Sequence, residues 1–276
     1  MFGAIIGDIA GSVWEFHRPR PAARDVEVFP FPDDAGYTDD SLLTLAVGQA
    51  LMDADGDLEQ GPSLVASALR QFAYDYRLQR GGYGSGFAKW LFSKNPQPYG
   101  SAGNGSAMRV SAAGWLYPTL ELTEQWAEVT AAPTHNHPDG IAGAQATAAA
   151  IFLARTGHSK DDIKEYVTSR FGYDLDRTWD EVMADDPNGM KPNKMLCSRT
   201  VPEAILAFLG ADGFEDTIRR SISVGGDTDT RAAIAGSIAD AYWGIPSQDM
   251  RDAVVAHLPG PLAVVLDRFE HEIRID

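Results

Sequence analysis

The sequence predicts an all-α fold, a compact orthogonal multi-helix domain, on three observations. Apolar residues recur at helical spacing in segment after segment. No alternating strand–helix rhythm and no long-period repeat breaks that pattern. Small residues line many of the helical stretches, which favours close, crossing helix contacts over a heptad bundle. With 276 residues, 44% hydrophobic and 22% charged, the chain can bury a sizeable core as one domain spanning 1–276.

Taken in order, Phe2 to about Trp14 forms the first helix. Gly3, Gly7 and Gly11 fall on one face of it, where a second helix can approach closely. Asp8 interrupts this apolar stretch and needs a buried hydrogen bond or a nearby metal. A proline-rich loop follows from His17 to Gly36, with Val26–Phe29 as a short extended piece. Helices are then expected from Thr38 to about Ala54 and from Pro62 to Arg77. Beyond the turn at 81–86, a short helix runs through Trp90 and Leu91. A Gly-rich loop at Tyr99–Gly105 leads into a helix from Ser106 to near Gly114, followed by Thr123–Ala132 and the Ala-rich Gly140–Ala154. Ser159 caps a helix to about Phe171. Residues Gly172–Ser198 read as an irregular excursion with a helical turn or two. Thr200–Leu209, with Pro202 in its first turn, and Phe214–Ser221 follow. A long Ala-rich helix starts near Asp227, and two more helical patterns close the chain, about a dozen helices in all.

The formal net charge of −16 excludes tracking of a nucleic-acid backbone by general electrostatics, so any anionic ligand needs a local site. Cys197 is the sole cysteine. It excludes an internal disulfide and a CxxC zinc site, reads as an inert thiol, and fits a cytoplasmic location. The N-terminal apolar stretch lacks a basic flank, and no run of 18 apolar residues occurs, so neither a signal peptide nor a membrane span is expected. Nothing indicates an obligate partner, and a monomer is expected.

Two clusters carry the chemistry. Ser223–Ala232 reads S-V-G-G-D-T-D-T-R-A, where Asp227 or Thr228 can cap the helix that follows. Tyr37-Thr38-Asp39-Asp40-Ser41 has similar composition and also precedes a helical pattern. Each alone is readable as an acidic N-cap favoured by the helix dipole. Brought together, the four aspartates would repel one another, and a hard divalent cation such as Mg²⁺, held by carboxylate and hydroxyl oxygens, is the natural compensation. The loops Gly82-Tyr83-Gly84-Ser85-Gly86 and Gly100-Ser101-Ala102-Gly103-Asn104-Gly105-Ser106 could offer backbone N–H groups to phosphates, although neither matches a P-loop or a dinucleotide-binding fingerprint. His135 and His137 lack the partners a zinc site needs. On residue type alone, Met108 and Met190 are filler.

These motifs, in order, carry a resemblance: Gly3–Ser12, Tyr37–Ser41, Gly103–Arg109, Thr134-His135 with Pro138, and Gly225–Thr230. The chain resembles the ADP-ribosylglycohydrolases over nearly its whole length. The resemblance implies an all-α fold around a central dinuclear magnesium site, with Mn²⁺ as a possible substitute. It implies metal ligands at Thr38, Asp39, Asp40, Asp227, Asp229 and Thr230, which leaves Thr228 as the cap. Glu15 corresponds to a glutamate on a mobile flap, and Glu15 or Asp40 would act as general base. Gly82, Tyr83, Gly84, Ser85, Gly86, Gly103, Asn104, Gly105, Ser106, Met108 and His135 fall where the family binds ADP-ribose. Ser41 stands where threonine is frequent and keeps the hydroxyl. The unbroken ligand set argues against the family's non-catalytic and crystallin-like members. The segments Phe171–Asp176 and Cys197–Phe208 resemble a bacterial branch, so the substrates of animal members need not carry over.

The implied reaction is Mg²⁺-dependent hydrolysis of the glycosidic bond between ADP-ribose and an acceptor, with ADP-ribosylated substrate and ADP-ribose product as the partners. Two other readings stand beside it: a non-catalytic ADP-ribose-binding module, and a metal-dependent nucleotide phosphohydrolase. Pro19–Gly36 and Gly172–Ser198 are the candidate loops for acceptor choice.

Overall fold

A buried glycine face pairs the first helix with one near the end of the chain, and the other helices assemble around that pair. The computed structural model describes residues 1–17, 21–186 and 195–274. Among them are fifteen α-helices and one 3₁₀ turn, Ala23–Asp25, with no β-strand beyond a single bridge between Gly103 and Leu196. In chain order the helices are α1 (Phe2–Ser12), α2 (Asp39–Ala54), α3 (Gly61–Asp75), α4 (Ser85–Leu91) and α5 (Gly105–Met108). Next come α6 (Ser111–Leu116), α7 (Leu120–Ala131), α8 (Pro138–Arg155), α9 (Lys160–Phe171) and α10 (Trp179–Asp185). The last five are α11 (Cys197–Leu209), α12 (Phe214–Ser223), α13 (Thr228–Trp243), α14 (Gln248–His257) and α15 (Gly260–Glu272).

Every residue of α1 is buried, as is α13 from Thr228 to Asp240. The two run antiparallel, with Gly3 against Gly236, Gly7 against Ala232 and Gly11 against Asp229. A Cβ at Gly7 would overlap the backbone of Ala232, so this approach requires glycine. The Gly3–Gly7–Gly11 stripe is therefore the seat of α13. The amide N–H of Gly3 also donates to the Asp240 carboxylate at 2.9 Å, tying the far ends of the pair together. The Ala-rich α8 is buried along most of its length and packs on α5, α6, α7, α11 and α13. α2 packs across α1, α3 and α15. The result places the start of α2, the start of α13 and the end of α1 side by side.

Several expected elements differ. The helix predicted from Ser106 to Gly114 is two, α5 and α6, with Arg109 and Val110 between them. Val26–Phe29 pairs with no strand; Val26 and Val28 are instead buried in the core. Pro202 lies inside α11 rather than in its first turn. That helix begins three residues earlier than expected, where the Cys197 N–H donates to the Ala102 carbonyl at 3.0 Å. Ser159 does cap α9, in a full capping box with Asp162.

Candidate functional site

Thr38 sits at the N-cap of α2, its hydroxyl accepting from the Asp40 N–H at 3.2 Å. This cap turns Asp39 and Asp40 toward the start of α13. Asp8, midway along α1, receives the same corner. Its carboxylate accepts from the Thr38 N–H (2.9 Å), the Thr38 hydroxyl (2.7 Å), the Ser41 N–H (3.0 Å) and the Ser41 hydroxyl, the last a very short bond. The serine at 41 thus keeps the hydroxyl that Asp8 needs. Across the gap, Thr230 donates to Asp40 Oδ2 at 3.2 Å and Asp229 Oδ1 accepts from the Thr230 N–H at 2.9 Å. Asn104 donates from its side chain to Asp227 Oδ2 at 2.6 Å, joining the Gly-rich loop to this cluster.

Two carboxylate triads result, Asp8–Asp40–Asp229 and Glu15–Asp227–Asp229, each offering oxygens within 4.8 Å of one another and sharing Asp229. Asp40 Oδ1 is buried and has no hydrogen-bond partner. An orphaned carboxylate oxygen in a ring of acids fits a hard divalent cation, which would occupy its free lone pairs and offset the repulsion. The electrostatics agree. Burial, then neighbouring carboxylates, push Asp40 and Asp229 well above the ordinary carboxylate range. The same causes raise Asp39 to about 8 and Glu15 to about 7. Burial also raises Asp8, against its four hydrogen bonds.

The loop between α12 and α13 is shaped for this. Gly225 and Gly226 both have positive φ, 74° and 75°, so the chain reverses tightly before Asp227. The fully buried Arg231 donates to the Gly225 carbonyl at 2.9 Å and pairs with Glu203 at 3.2 Å, holding the turn from behind. The Gly226 carbonyl accepts from the Phe16 N–H at 2.8 Å, which pins the turn after α1 and brings Glu15 over the cluster. The capping expectation for Thr228 needs correction. Asp227 occupies the N-cap position of α13, and the Thr228 hydroxyl donates instead to the Gly11 carbonyl at 2.9 Å, closing the end of α1 against α13.

A cavity of about 380 Å³ opens onto these groups. Of the residues singled out in the sequence, Glu15, Asp39, Asp40, Asp227, Asp229, Thr230, Gly82, Gly84, Gly103, Asn104, Gly105, Met108 and His135 line it. Thr38, Tyr83, Ser85, Gly86 and Ser106 do not. Thr38 faces Asp8 and Asp40 behind the wall, and Ser106 donates to the Gly140 carbonyl at 2.7 Å. The Tyr83 ring packs on Phe87, and Gly86 lies beneath the Tyr99 ring. Cys197 is buried, donates to the Gly103 carbonyl at 3.0 Å, and has its thiol pushed up to about 12 by burial, which makes it part of the loop's support.

Sequence reasoning did not assign Asp8, Leu43, Phe87, Arg109, Met195 or Leu196 to the site. Asp8 carried a signal, as an acid in an apolar helix; the others did not stand out from core residues. The loops proposed for acceptor choice fall partly outside the described residues, at 19–20 and 187–194, but Met195 and Leu196 at the border of the second line the cavity.

Comparisons with known proteins identify the family and the fold. The ADP-ribosylglycohydrolase family model matches residues 1–269. ADP-ribosylhydrolase ARH3 of Mus musculus is 28% identical over 312 residues, covering 88% of this chain and 82% of that protein. The ADP-ribosyl-[dinitrogen reductase] glycohydrolase of Rhodospirillum rubrum is 24% identical over 260 residues, covering 88% and 84%. Among solved structures, an ADP-ribosylglycohydrolase-related protein complex superposes with a TM-score of 0.67 at 20% identity, covering 97% of this chain and 96% of that one, a likeness in fold.

Proposed function

The chain belongs to the ADP-ribosylglycohydrolase family, and from that premise we propose that it cleaves, with Mg²⁺, the glycosidic bond joining the distal ribose of ADP-ribose to an acceptor. The observation that carries this reading is the pair of carboxylate triads sharing Asp229 beside a cavity walled by Gly103–Gly105. Asp39, Asp40, Asp227, Asp229, Thr38 and Thr230 would hold two Mg²⁺ ions, with Mn²⁺ as a substitute, and Asp8 joins the first triad. When bound, the ions would supply Lewis acidity and lower the pKa of a coordinated water. Every other part of the task falls to the chain itself.

Asp8 holds the α2 corner through Thr38 and Ser41, so that Asp40 keeps one oxygen free. Glu15 is half-buried at the cavity wall and is the carboxyl best placed to exchange protons with an attacking water and the leaving acceptor. Asp40 is almost wholly buried and already accepts from Thr38 and Thr230, which suits it to a fixed ligand. The ADP portion would lie along Gly103–Gly105 and Met108, where glycine leaves the backbone open to phosphate oxygens. Water adds across the cleaved bond, its hydroxyl to the anomeric carbon and its proton to the acceptor.

Mass spectrometry of products from defined arginine-, serine- and base-linked ADP-ribosyl conjugates, with and without Mg²⁺, tests the reading. Intact ADP-ribose should appear only with metal, and Asp40→Ala or Asp227→Ala should abolish release with helical content unchanged. Phosphate release without ADP-ribose would instead indicate a phosphohydrolase, and tight binding without turnover a sensor.

A further inference from the structure

Arg109 is fully buried and, among the described residues, makes no ion pair, unlike Arg231 with its Glu203. A buried, unpaired guanidinium is costly, so its few bonds carry information. Its Nη2 donates to the Thr130 carbonyl at 3.0 Å and to the Thr134 hydroxyl at 2.8 Å. Burial lowers it to about 10, which leaves it charged at neutral pH. Thr134 is also fully buried, and its hydroxyl oxygen lies 2.7 Å from Nδ1 of His135. With Arg109 donating to that oxygen, the threonine's own proton needs an acceptor, and Nδ1 is the one beside it. Nδ1 therefore accepts, and the ring's proton resides on Nε2. Nε2 faces the Gly-rich loop, 3.7 Å and 3.2 Å from where Cβ atoms on Gly103 and Gly105 would stand. His135 lines the cavity there, and burial followed by the Arg109 charge keeps its ring neutral.

We propose that Arg109, acting through Thr134, is a positioning residue that locks His135 in its Nε2–H form, so that the cleft presents a fixed neutral N–H donor to an oxygen of a bound diphosphate. The assignment of that oxygen to ADP-ribose rests on the function proposed above; the tautomer does not. Long-range ¹H–¹⁵N correlation on labelled protein reads the tautomer directly. His135 should show a protonated Nε2 and an unprotonated Nδ1 in the wild type. Thr134→Val removes the hydroxyl at nearly constant volume and should give a tautomer mixture, with ADP-ribose affinity about tenfold weaker by calorimetry. Thr134→Ser should restore both, and Mn²⁺ affinity should be unchanged in either variant. A protonated Nδ1 in the wild type, or an unaltered Nε2–H form in Thr134→Val, overturns the proposal. If wild-type protein binds no ADP-ribose while the tautomer is as described, the functional reading fails and the relay stands. Arg109→Lys, which keeps charge but loses the planar fork and shortens the reach to Thr134, should shift the tautomer partway if it folds; the threonine pair decides the matter if it does not.

Discussion

Asp8 shows how one side chain can serve the fold and the site together. Four donors from Thr38 and Ser41 converge on its carboxylate, and the same group contributes an oxygen to the triad with Asp40 and Asp229. Asp8→Asn would turn an amide N–H toward donors that need an acceptor. Leaving buried donors unpaired costs about 1–3 kcal/mol each, and loss of an orienting partner weakens metal binding by roughly 10–100-fold. Asp229 differs because it belongs to both triads. Titration with Mn²⁺ followed by calorimetry should therefore find one site weakened in Asp8→Asn and both lost in Asp229→Ala. Equal stoichiometry in the two variants would count against a pair of sites sharing Asp229. The carboxylates at 39, 40, 227 and 229 were legible in the sequence because each lies in a run of like residues. That Asp8 needs buried hydrogen bonds or a metal was legible as well; which groups meet it was not, because its partners lie 30 and 33 residues away and only the fold names them.

At the scale of elements, the α1–α13 pair is the support on which the site rests. Helix propensity alone favours alanine over glycine by about 1 kcal/mol per residue. Against that, a Cβ at Gly7 would collide with the Ala232 backbone, which no rotamer change relieves, and overpacking of this kind costs about 1–3 kcal/mol. Gly7→Ala should therefore lower the urea midpoint and weaken metal binding together, since any separation of the pair moves Asp8 away from Asp229. Gly260→Ala, in the first turn of α15, meets no atom beyond its chain neighbour Pro261 and should change stability less than Gly7→Ala does. A Gly7→Ala protein as stable as the wild type would show that the two backbones can part without penalty. This helix pairing was readable from the spacing of Gly3, Gly7 and Gly11. The break between α5 and α6 and the early start of α11 were not, since Arg109 bonding and the Cys197–Ala102 contact arise only in the assembled fold.

For the whole molecule, the site makes metal-free stability fall as pH rises. Asp8 is raised by burial, Asp40 and Asp229 by burial and then by neighbouring carboxylates, and the same two causes bring Asp39 to about 8 and Glu15 to about 7. In the unfolded chain the same groups titrate near 4. Between those limits the folded state holds protons that the unfolded state has released, so stability is fully present below about pH 4 and is lost as pH climbs through the folded values. His135 acts oppositely, being held neutral when folded, but only below its unfolded value of about 6.5. In the window from pH 6.5 to 8.5 the carboxylates are opposed only by the buried Met1 amino group, which burial pushes below its ordinary value of about 8 and which favours the folded state more as pH rises toward that value; one such group acts against five raised carboxyls. Chelator-treated protein should melt at progressively lower temperature across that window. A divalent cation binds the deprotonated cluster and adds stability by mass action, so the Mg²⁺-induced rise in Tm should be larger at pH 8.5 than at pH 6.5. Scanning calorimetry at both values, with Mg²⁺ and with chelator, checks this. A flat or rising Tm in chelator, or a Mg²⁺ effect that does not grow with pH, would mean that the acids are compensated by something other than a cation. Because net charge is −16, raising ionic strength should relieve part of the general repulsion, and the comparison belongs at constant salt. What remains pH-dependent under that condition is dominated by the buried cluster where α1, α2 and α13 meet, with the Met1 amine opposing it.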